Sequence, residues 1–529
     1  MSSLIARVSS GLKNGENHTN SDLKSDKIEY VVLEEEAIRI THWYDAFVRL
    51  FYWYPKSIYD PTERKFLIKL DACLLVYTCL SYFTKSLDKS NISYSYVSGM
   101  KSELGFVGDD LSYAKSLYSA GYIVSMCVGT LLVTQKWSRY LLPSFELCWG
   151  VLTLCAAATH KPSHMFAIRF LVGFCEGIAF PSSVYIIGSW FTRDEIYRRI
   201  MVFSVSASLG GMFSGYLQSA AYDNLSGHLG LSGWRWGFLI DGFITVPVAL
   251  IGFVVFPGPL QSKSQRTTKP IWWMTVSEYE LAVSRQVKAG IDGARQYDWG
   301  VIKRTLANWH VHFFATFWVL LNVVALPDGT VMPLWLSYEQ ETNGRFTVSQ
   351  VDNYTTFQSV VGIVAQFFLA GLSDSFSIYP FLSAVQCTFI VIYSSLAAWN
   401  IPYGWKWTCM LLIGLDGVNQ AIVSGWINRV CRHDSRERAF VIGYSDAVSQ
   451  AMNIWTNIVF YPTSDSPKFH KGFIASTCGA IIMLFLPIIS IFLTKWDVKR
   501  EARAREENQE IENESDMVVT ESIHEKTSK

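Results

Sequence analysis

Along this chain, stretches of about twenty apolar residues alternate with short polar runs, and that is the length a helix needs to cross a hydrocarbon layer roughly 30 Å thick. The pattern predicts twelve spans. The first six run from Lys69 to Tyr96, Ser112 to Thr134, Tyr140 to Ala158, Met165 to Trp190, Ile200 to Ala221 and Trp236 to Phe256. The second six run from His310 to Leu336, Asn353 to Leu372, Ile378 to Trp399, Trp405 to Ile427, Ala439 to Phe460 and Gly472 to Leu493. A polar stretch from Pro257 to Asn308 separates the sets. The expected architecture is an all-α polytopic membrane protein with twelve transmembrane helices in two six-helix bundles, residues 66–257 and 309–495. Residues 1–65 form a cytoplasmic tail, 258–308 a cytoplasmic linker, and 496–529 a disordered tail rich in Glu and Ser.

Within the linker, Ser277 followed three residues later by Glu280 has the form of a capping box, and it predicts a short amphipathic helix running on through Leu281 and Val283. A flexible connector is the alternative. The two bundles also echo one another. A mixed-charge run from Trp190 to Arg199 follows the fourth span, and another from Cys431 to Arg438 follows the tenth, as parallel six-helix repeats would require. Each run alone reads equally well as a solvated loop.

Composition narrows the function classes. Half the residues are hydrophobic and 17% are charged, with 45 basic against 45 acidic, which excludes an ordinary soluble domain and disfavours a nucleic-acid partner. The 19 Trp, 26 Tyr and 33 Phe suit aromatic anchoring at the lipid headgroups. Ten cysteines lie mostly inside apolar runs, without the spacing of a zinc site or a disulfide framework. No metal and no cofactor is implied. The first sixty residues are polar and predict no removable secretory signal. Lys and Arg gather at one set of span ends, among them Arg64, Lys65, Arg139, Arg198, Arg199, Arg436 and Arg438, so that side and both termini are expected in the cytoplasm. Asn224 and Asn353 are then the topologically plausible glycosylation acceptors.

Charges inside spans carry the functional expectation, because an ionised group near the bilayer centre costs on the order of 3 kcal/mol. The first span holds Asp88, Lys89 and Asn91, and the fourth holds Arg169, Gly173 and Glu176. Seven residues is close to two helical turns, so Arg169, Gly173 and Glu176 lie along one stripe. Facing a wet cavity, the cations can hold a substrate carboxylate while the acids take up and release protons. The alternative is structural: Arg169 paired with Glu176, and Asp88 neutralised by Lys89. Asn322, Trp426 and Asn428 are further candidates for the cavity wall, although helix packing accounts for them equally well. Asp241, Asp416 and Asp446 fall within or near spans and are not resolved between cavity and interface. No nucleophile, base or metal constellation of an enzyme occurs, and charges of mixed sign disfavour a channel. A sensor that binds without transporting uses the same residues.

These residues resemble a known family, the anion:cation symporters of the major facilitator superfamily, and within it the fungal allantoate-permease group. The similarity runs from about Lys65 to Trp496. It rests on Leu87-Asp-Lys-Ser-Asn91, on Arg169-Phe-Leu-Val-Gly-Phe-Cys-Glu-Gly177 with Pro181 and Gly188-Ser-Trp190, and on Ser232-Gly-Trp-Arg-Trp-Gly-Phe-Leu-Ile-Asp241. Gly371-Leu-Ser-Asp374 resembles the superfamily's loop signature, whereas the loop from Gly129 to Arg139 lacks the usual acidic residue. The resemblance implies a plasma-membrane symporter of a small organic anion and protons, working by alternating access; the sequence does not fix the oligomeric state, and a monomer is the expectation. Carried over by motif, it implies Asp88 and Glu176 for proton coupling, and Lys89 and Arg169 for the anion. It further implies Gly173, Pro181, Trp190, Trp234, Arg235, Trp236, Gly371 and Asp374 as structural or conformational positions. Lys89 stands where the family has arginine, which keeps the charge and loses the two-pronged grip on a carboxylate. Ser81-Tyr-Phe-Thr-Lys-Ser-Leu-Asp88, Tyr96-Val-Ser-Gly-Met-Lys101 and Asn224-Leu-Ser-Gly look most like pantothenate and biotin carriers. Pantothenate is the first expectation and biotin the second, with nicotinate, allantoate and other carboxylates open.

Overall fold

In lipid no water is present to satisfy a bare backbone, so an apolar stretch must close its hydrogen bonds within itself, as a helix does. The computed structural model describes residues 60–493 except 109, 134, 136–137, 261–270, 289–298, 330, 347, 371, 373–377, 432–434 and 463–464, together with Trp53 and Trp496. Among the described residues there are twelve long helices and no strand. The first half comprises α1 (Pro61–Ser95), α2 (Asp110–Leu132), α3 (Ser138–Ala156), α4 (Pro162–Trp190), α5 (Arg193–Leu225) and α6 (Gly233–Val255). The second comprises α7 (Trp309–Ala325), α8 (Val348–Ala365), α9 (Ile378–Ala398), α10 (Tyr403–Asn428), α11 (Ser435–Phe460) and α12 (His470–Leu493). Seven of these, α1, α4, α5, α6, α9, α10 and α12, are long and apolar enough to cross a membrane by length and composition.

Successive helices reverse direction, so each half has a linker end, where it meets the central segment, and a far end. In the first half α1 packs on α5, α2 on α4 and α3 on α6, while α7 packs on α11 in the second. The halves meet through α2 against α11 and through α5 against α8 and α10.

Three departures from the sequence pattern have local causes. The expected seventh span, His310 to Leu336, ends at Ala325: Pro327 and Gly329, the latter at φ 61°, turn the chain, and a separate helix, Val331–Asn343, follows. Helix α4 is divided into Pro162–Glu176 and Ala179–Trp190, with Pro181 in the first turn of the second segment, where its missing N–H leaves no bond unmade. Helix α1 starts at Pro61, ahead of the apolar run, because Pro opens a polar first turn that projects from the linker end.

The linker does form a helix, Val276–Lys288, but its capping box is Thr275 with Glu278 rather than Ser277 with Glu280. The Thr275 N–H donates to Glu278 Oε2 at 2.9 Å, and the Glu278 N–H donates to Thr275 Oγ1 at 3.3 Å. Just upstream, the indoles of Trp272 and Trp273 donate to the carbonyls of Val254 and Val255 at 3.0 and 2.9 Å. They satisfy carbonyls that α6 leaves open at its end, and so fix where the next helix starts. This linker helix docks on the first half. Lys69 Nζ meets Glu278 Oε1 at 2.7 Å, Arg285 pairs with both Glu63 and Glu195, and Trp190 Nε1 donates to Gly258 O at 2.7 Å. Arg199 grips Asp71 through two bonds of 2.7 and 2.8 Å. Partial burial pushes the Glu278 carboxyl up, but hydrogen bonds from Lys69 and from Thr275 outweigh it and hold the group below the usual carboxylate range.

Candidate functional site

The centre of the first half is built by a close approach of two helices. A Cβ on Gly173 would overlap the Tyr118 carbonyl, one on Gly177 the Tyr122 carbonyl, and one on Gly121 the Phe170 carbonyl. Helices α2 and α4 therefore touch backbone to backbone, as small residues four apart allow. The consequence is chemical: Tyr118, reaching across from α2, donates its hydroxyl to Glu176 Oε2 at 2.5 Å.

Asp88 of α1 completes the cluster. Arg169 Nη1 lies 3.6 Å from Asp88 Oδ1, and the guanidinium also donates to the Asp88 backbone carbonyl at 3.4 and 3.5 Å. Arg169, Asp88 and Glu176 are all buried. The Asp88 and Glu176 carboxyls are close enough to act on each other electrostatically. Each keeps one buried oxygen, Asp88 Oδ2 and Glu176 Oε1, without a donor. Two ionised carboxylates about 4 Å apart repel by about 4 kcal/mol at an effective dielectric constant near 20. A proton shared between them removes that repulsion and supplies the missing donor.

A third buried acid adjoins the pair. Asn91 donates to Asp241 Oδ2 at 3.2 Å and accepts from Ser95 Oγ at 3.1 Å, while Asp241 Oδ1 has no donor. Asp241 interacts electrostatically with Asp88 and Arg169. Asp88 and Asp241 thus share one guanidinium, with Glu176 beside Asp88.

Lys89 does not join this cluster. It is exposed, and its charge acts on Lys85, on Lys115 of α2, on Asp328 beyond α7 and on Asp446 of α11. Lys89 and Lys115 are both exposed and lie toward the far end of the first half. The partners in the structural alternative are also exchanged: Asp88 pairs with Arg169 rather than Lys89, and Glu176 with Tyr118 rather than Arg169.

The second-half candidates are engaged in packing. The Asn322 amide donates to Ser449 Oγ and its oxygen accepts from Asn453 at 2.9 Å, tying α7 to α11. Trp426 sits edge-on among Phe313, Phe314, Phe317 and Tyr379 at centroid distances of 5.5 to 6.1 Å. Asn428 donates to Ser424 O at 2.9 Å, and its amide oxygen fills the space over Gly188. Beside it Arg438 donates to Gly188 O at 3.1 Å, so α4 is held against α10 and α11 at the linker end.

The motif positions have local work. Trp190 holds the start of the linker through Gly258 and meets Tyr279 edge-on at 6.3 Å. Trp234 and Arg235 clasp Glu103 at 2.6 and 2.9 Å, fastening the start of α6 to the segment after α1, and Trp236 Nε1 donates to His228 O at 3.4 Å. Gly371 and Asp374 lie outside the described residues, as do nearly all of both tails.

Several buried polar residues escaped the sequence reading. Lys85 donates to Tyr122 at 2.7 Å, and Tyr77 donates to Glu146 Oε2 at 2.6 Å. Lys85 precedes Asp88 by three residues and Lys89 by four, so helical spacing alone placed it on the same face.

Comparison with known proteins agrees with this fold. Residues 78–456 match the Major Facilitator Superfamily. The MFS transporter PfmaC of Pestalotiopsis fici is 32% identical over 423 residues, which cover 80% of this chain and 78% of that protein. The pantothenate transporter liz1 of Schizosaccharomyces pombe is 30% identical over 439 residues, 82% of each chain. The vitamin H transporter of Saccharomyces cerevisiae is 29% identical over 492 residues, 90% of this chain and 79% of that one. Among solved structures, the proton:xylose symporter XylE aligns with a TM-score of 0.61 at 13% identity, covering 78% of this chain and 94% of its own, a likeness of fold alone.

Proposed function

The chain belongs to the Major Facilitator Superfamily and is a multi-pass membrane transporter, not an enzyme, and on that premise we propose that it is a proton-coupled symporter of a small organic carboxylate, with pantothenate as the first candidate. The observation that carries this reading is the pair of donorless oxygens, Asp88 Oδ2 and Glu176 Oε1, beside the buried Arg169 guanidinium. A proton on the pair lowers the local negative charge, and a carboxylate drawn to Lys89 and Arg169 then meets less repulsion. By reciprocity the bound anion raises the proton affinity of the pair by the same factor. Release of one favours release of the other. Asn91 holds Asp241 in place beside the pair. Alternating access follows if the two halves tilt about this centre, with both termini in the cytoplasm and the protein in the plasma membrane. The relatives support a vitamin as cargo: liz1 is described as a pantothenate transporter, and the vitamin H transporter favours biotin as the second reading.

The test is uptake of labelled pantothenate and labelled biotin by cells expressing the protein, at acidic and neutral external pH. Acid-stimulated accumulation of one label is expected. Glu176→Gln should abolish accumulation against a gradient while counterflow exchange persists, because the substitution fixes the neutral form. Normal proton-driven accumulation by Glu176→Gln would remove the coupling assignment. Binding of label without accumulation would instead identify a non-transporting sensor.

A further inference from the structure

Lys85 of α1 is buried, yet neither the acid pair nor the linker uses it. Its Nζ donates to the Tyr122 hydroxyl at 2.7 Å. The ammonium also lies 4.5 Å from the Tyr122 ring centroid, 5.3 Å from that of Tyr82 and 5.9 Å from that of Phe180, an aromatic box that suits a cation. Tyr122 in turn interacts electrostatically with Asp446, a buried acid on α11, the helix against which α2 packs, and Asp446 also accepts from Gln450 at 3.4 Å. A phenol accepts one such bond and donates another. This chain of contacts lets the Lys85 ammonium donate to the Tyr122 oxygen while the Tyr122 hydroxyl is free to donate onward to the Asp446 carboxylate. The chain leaves the first half through α1 and α2 and ends in the second half on α11. Close by, Gln420 of α10 donates to Tyr82 of α1 at 3.1 Å, a bond between the halves at this depth.

The charged and titratable groups facing Lys85 are Glu176 from α4, Tyr122 from α2, Asp446 from α11, and Lys89 and Tyr82 from its own helix. Two of them are carboxyls, one in each half, and both attract the same ammonium. We infer that Lys85 is a shared counter-charge whose partition between Glu176 and Asp446, relayed by Tyr122, couples protonation of the acid pair to closure of the two halves. When Glu176 is protonated, Asp446 is the carboxylate left to hold Lys85, and the chain ties the halves together. When Glu176 is ionised, it competes for the ammonium and the tie to the second half weakens. The inference rests on the proposed role of Glu176 as a proton carrier.

The experiment needs no substrate. Spin labels are placed at Asn224 and Thr342, exposed residues in the last turn of α5 and in the helix after α7, in purified full-length protein with its reactive cysteines replaced. Distances between them are measured in lipid nanodiscs across a titration from acid to neutral pH. The unsubstituted protein should shift between two distance populations. Glu176→Gln should stay in the acid population throughout. Tyr122→Phe and Asp446→Asn should lose the pH-dependent shift and stay in the neutral population, and Asp446→Glu should restore it, which a merely structural role would not predict. Tyr122→Phe serves as the independent check should Asp446→Asn fail to fold. If both variants titrate like the unsubstituted protein while Glu176→Gln stays fixed, the inference is overturned and the proton role of Glu176 stands. If Glu176→Gln titrates normally, or the unsubstituted protein shows no shift, both fall.

Discussion

Arg169 reaches Asp88 twice, through the carboxylate and through the backbone carbonyl of the same residue, and that double hold defines what its loss should do. Removing one partner of a buried pair leaves an uncompensated charge and costs about 3 to 5 kcal/mol. Arg169→Ala is therefore expected to lower thermal stability strongly in detergent, by several degrees, and to weaken pantothenate binding. The double variant Arg169→Ala with Asp88→Asn should regain most of the stability and none of the binding. Melting curves with a binding isotherm distinguish this from simple misfolding, in which stability would not return. The stripe of Arg169, Gly173 and Glu176 was legible because helical spacing makes such alignment arithmetic. Tyr118 was not. Nothing in the local pattern of α2 separates Tyr113, 54% exposed, from Tyr118, 9% exposed, and the difference arises only from which face meets α4.

For the helices, length and apolarity are dictated by the lipid, so most span extents could be read from hydropathy alone. The break after Ala325 was hidden because Leu326 and Val331 to Trp335 keep the apolar run going across Pro327 and Gly329. The linker cap was ambiguous for a different reason. Thr275 with Glu278 and Ser277 with Glu280 are overlapping boxes, and only the two tryptophans tied to α6 choose between them. That cap carries a pH dependence. The folded Glu278 carboxyl titrates below its unfolded counterpart, so its contribution is fully present above the ordinary carboxylate range. It is lost as pH falls through the depressed folded value. Amide exchange in Val276–Lys288 should thus remain slow at mildly acidic pH and quicken only in strong acid. Lys69→Met should move that onset to higher pH, and an unchanged onset would assign the stability of the helix to Arg285 instead.

Across the whole molecule, the division into two halves followed from the polar stretch at their junction, whereas their interface did not, because residues that meet there lie 250 positions apart, as Arg438 and Gly188 do. At that contact a methyl on Gly188 would overlap the Asn428 amide oxygen, a side-chain tip that must swing aside. Gly188→Ala is expected to loosen the linker end and to expose Cys431, which is buried there. Maleimide labelling of Cys431 should rise several-fold, on the order of a 1 kcal/mol shift between closed and open forms. Unchanged labelling would mean that Asn428 yields without disturbing closure.

The glycine contact between α2 and α4 has a consequence for how the acid cluster moves. Glu176, Arg169 and Tyr118 sit on α2 and α4, where backbone wedged against backbone keeps them in one rigid setting, and Arg169 holds Asp88 of α1 to them. A tilt of that half would carry the acid pair like a passenger in a fixed seat, changing which aqueous compartment it looks into rather than who sits beside it.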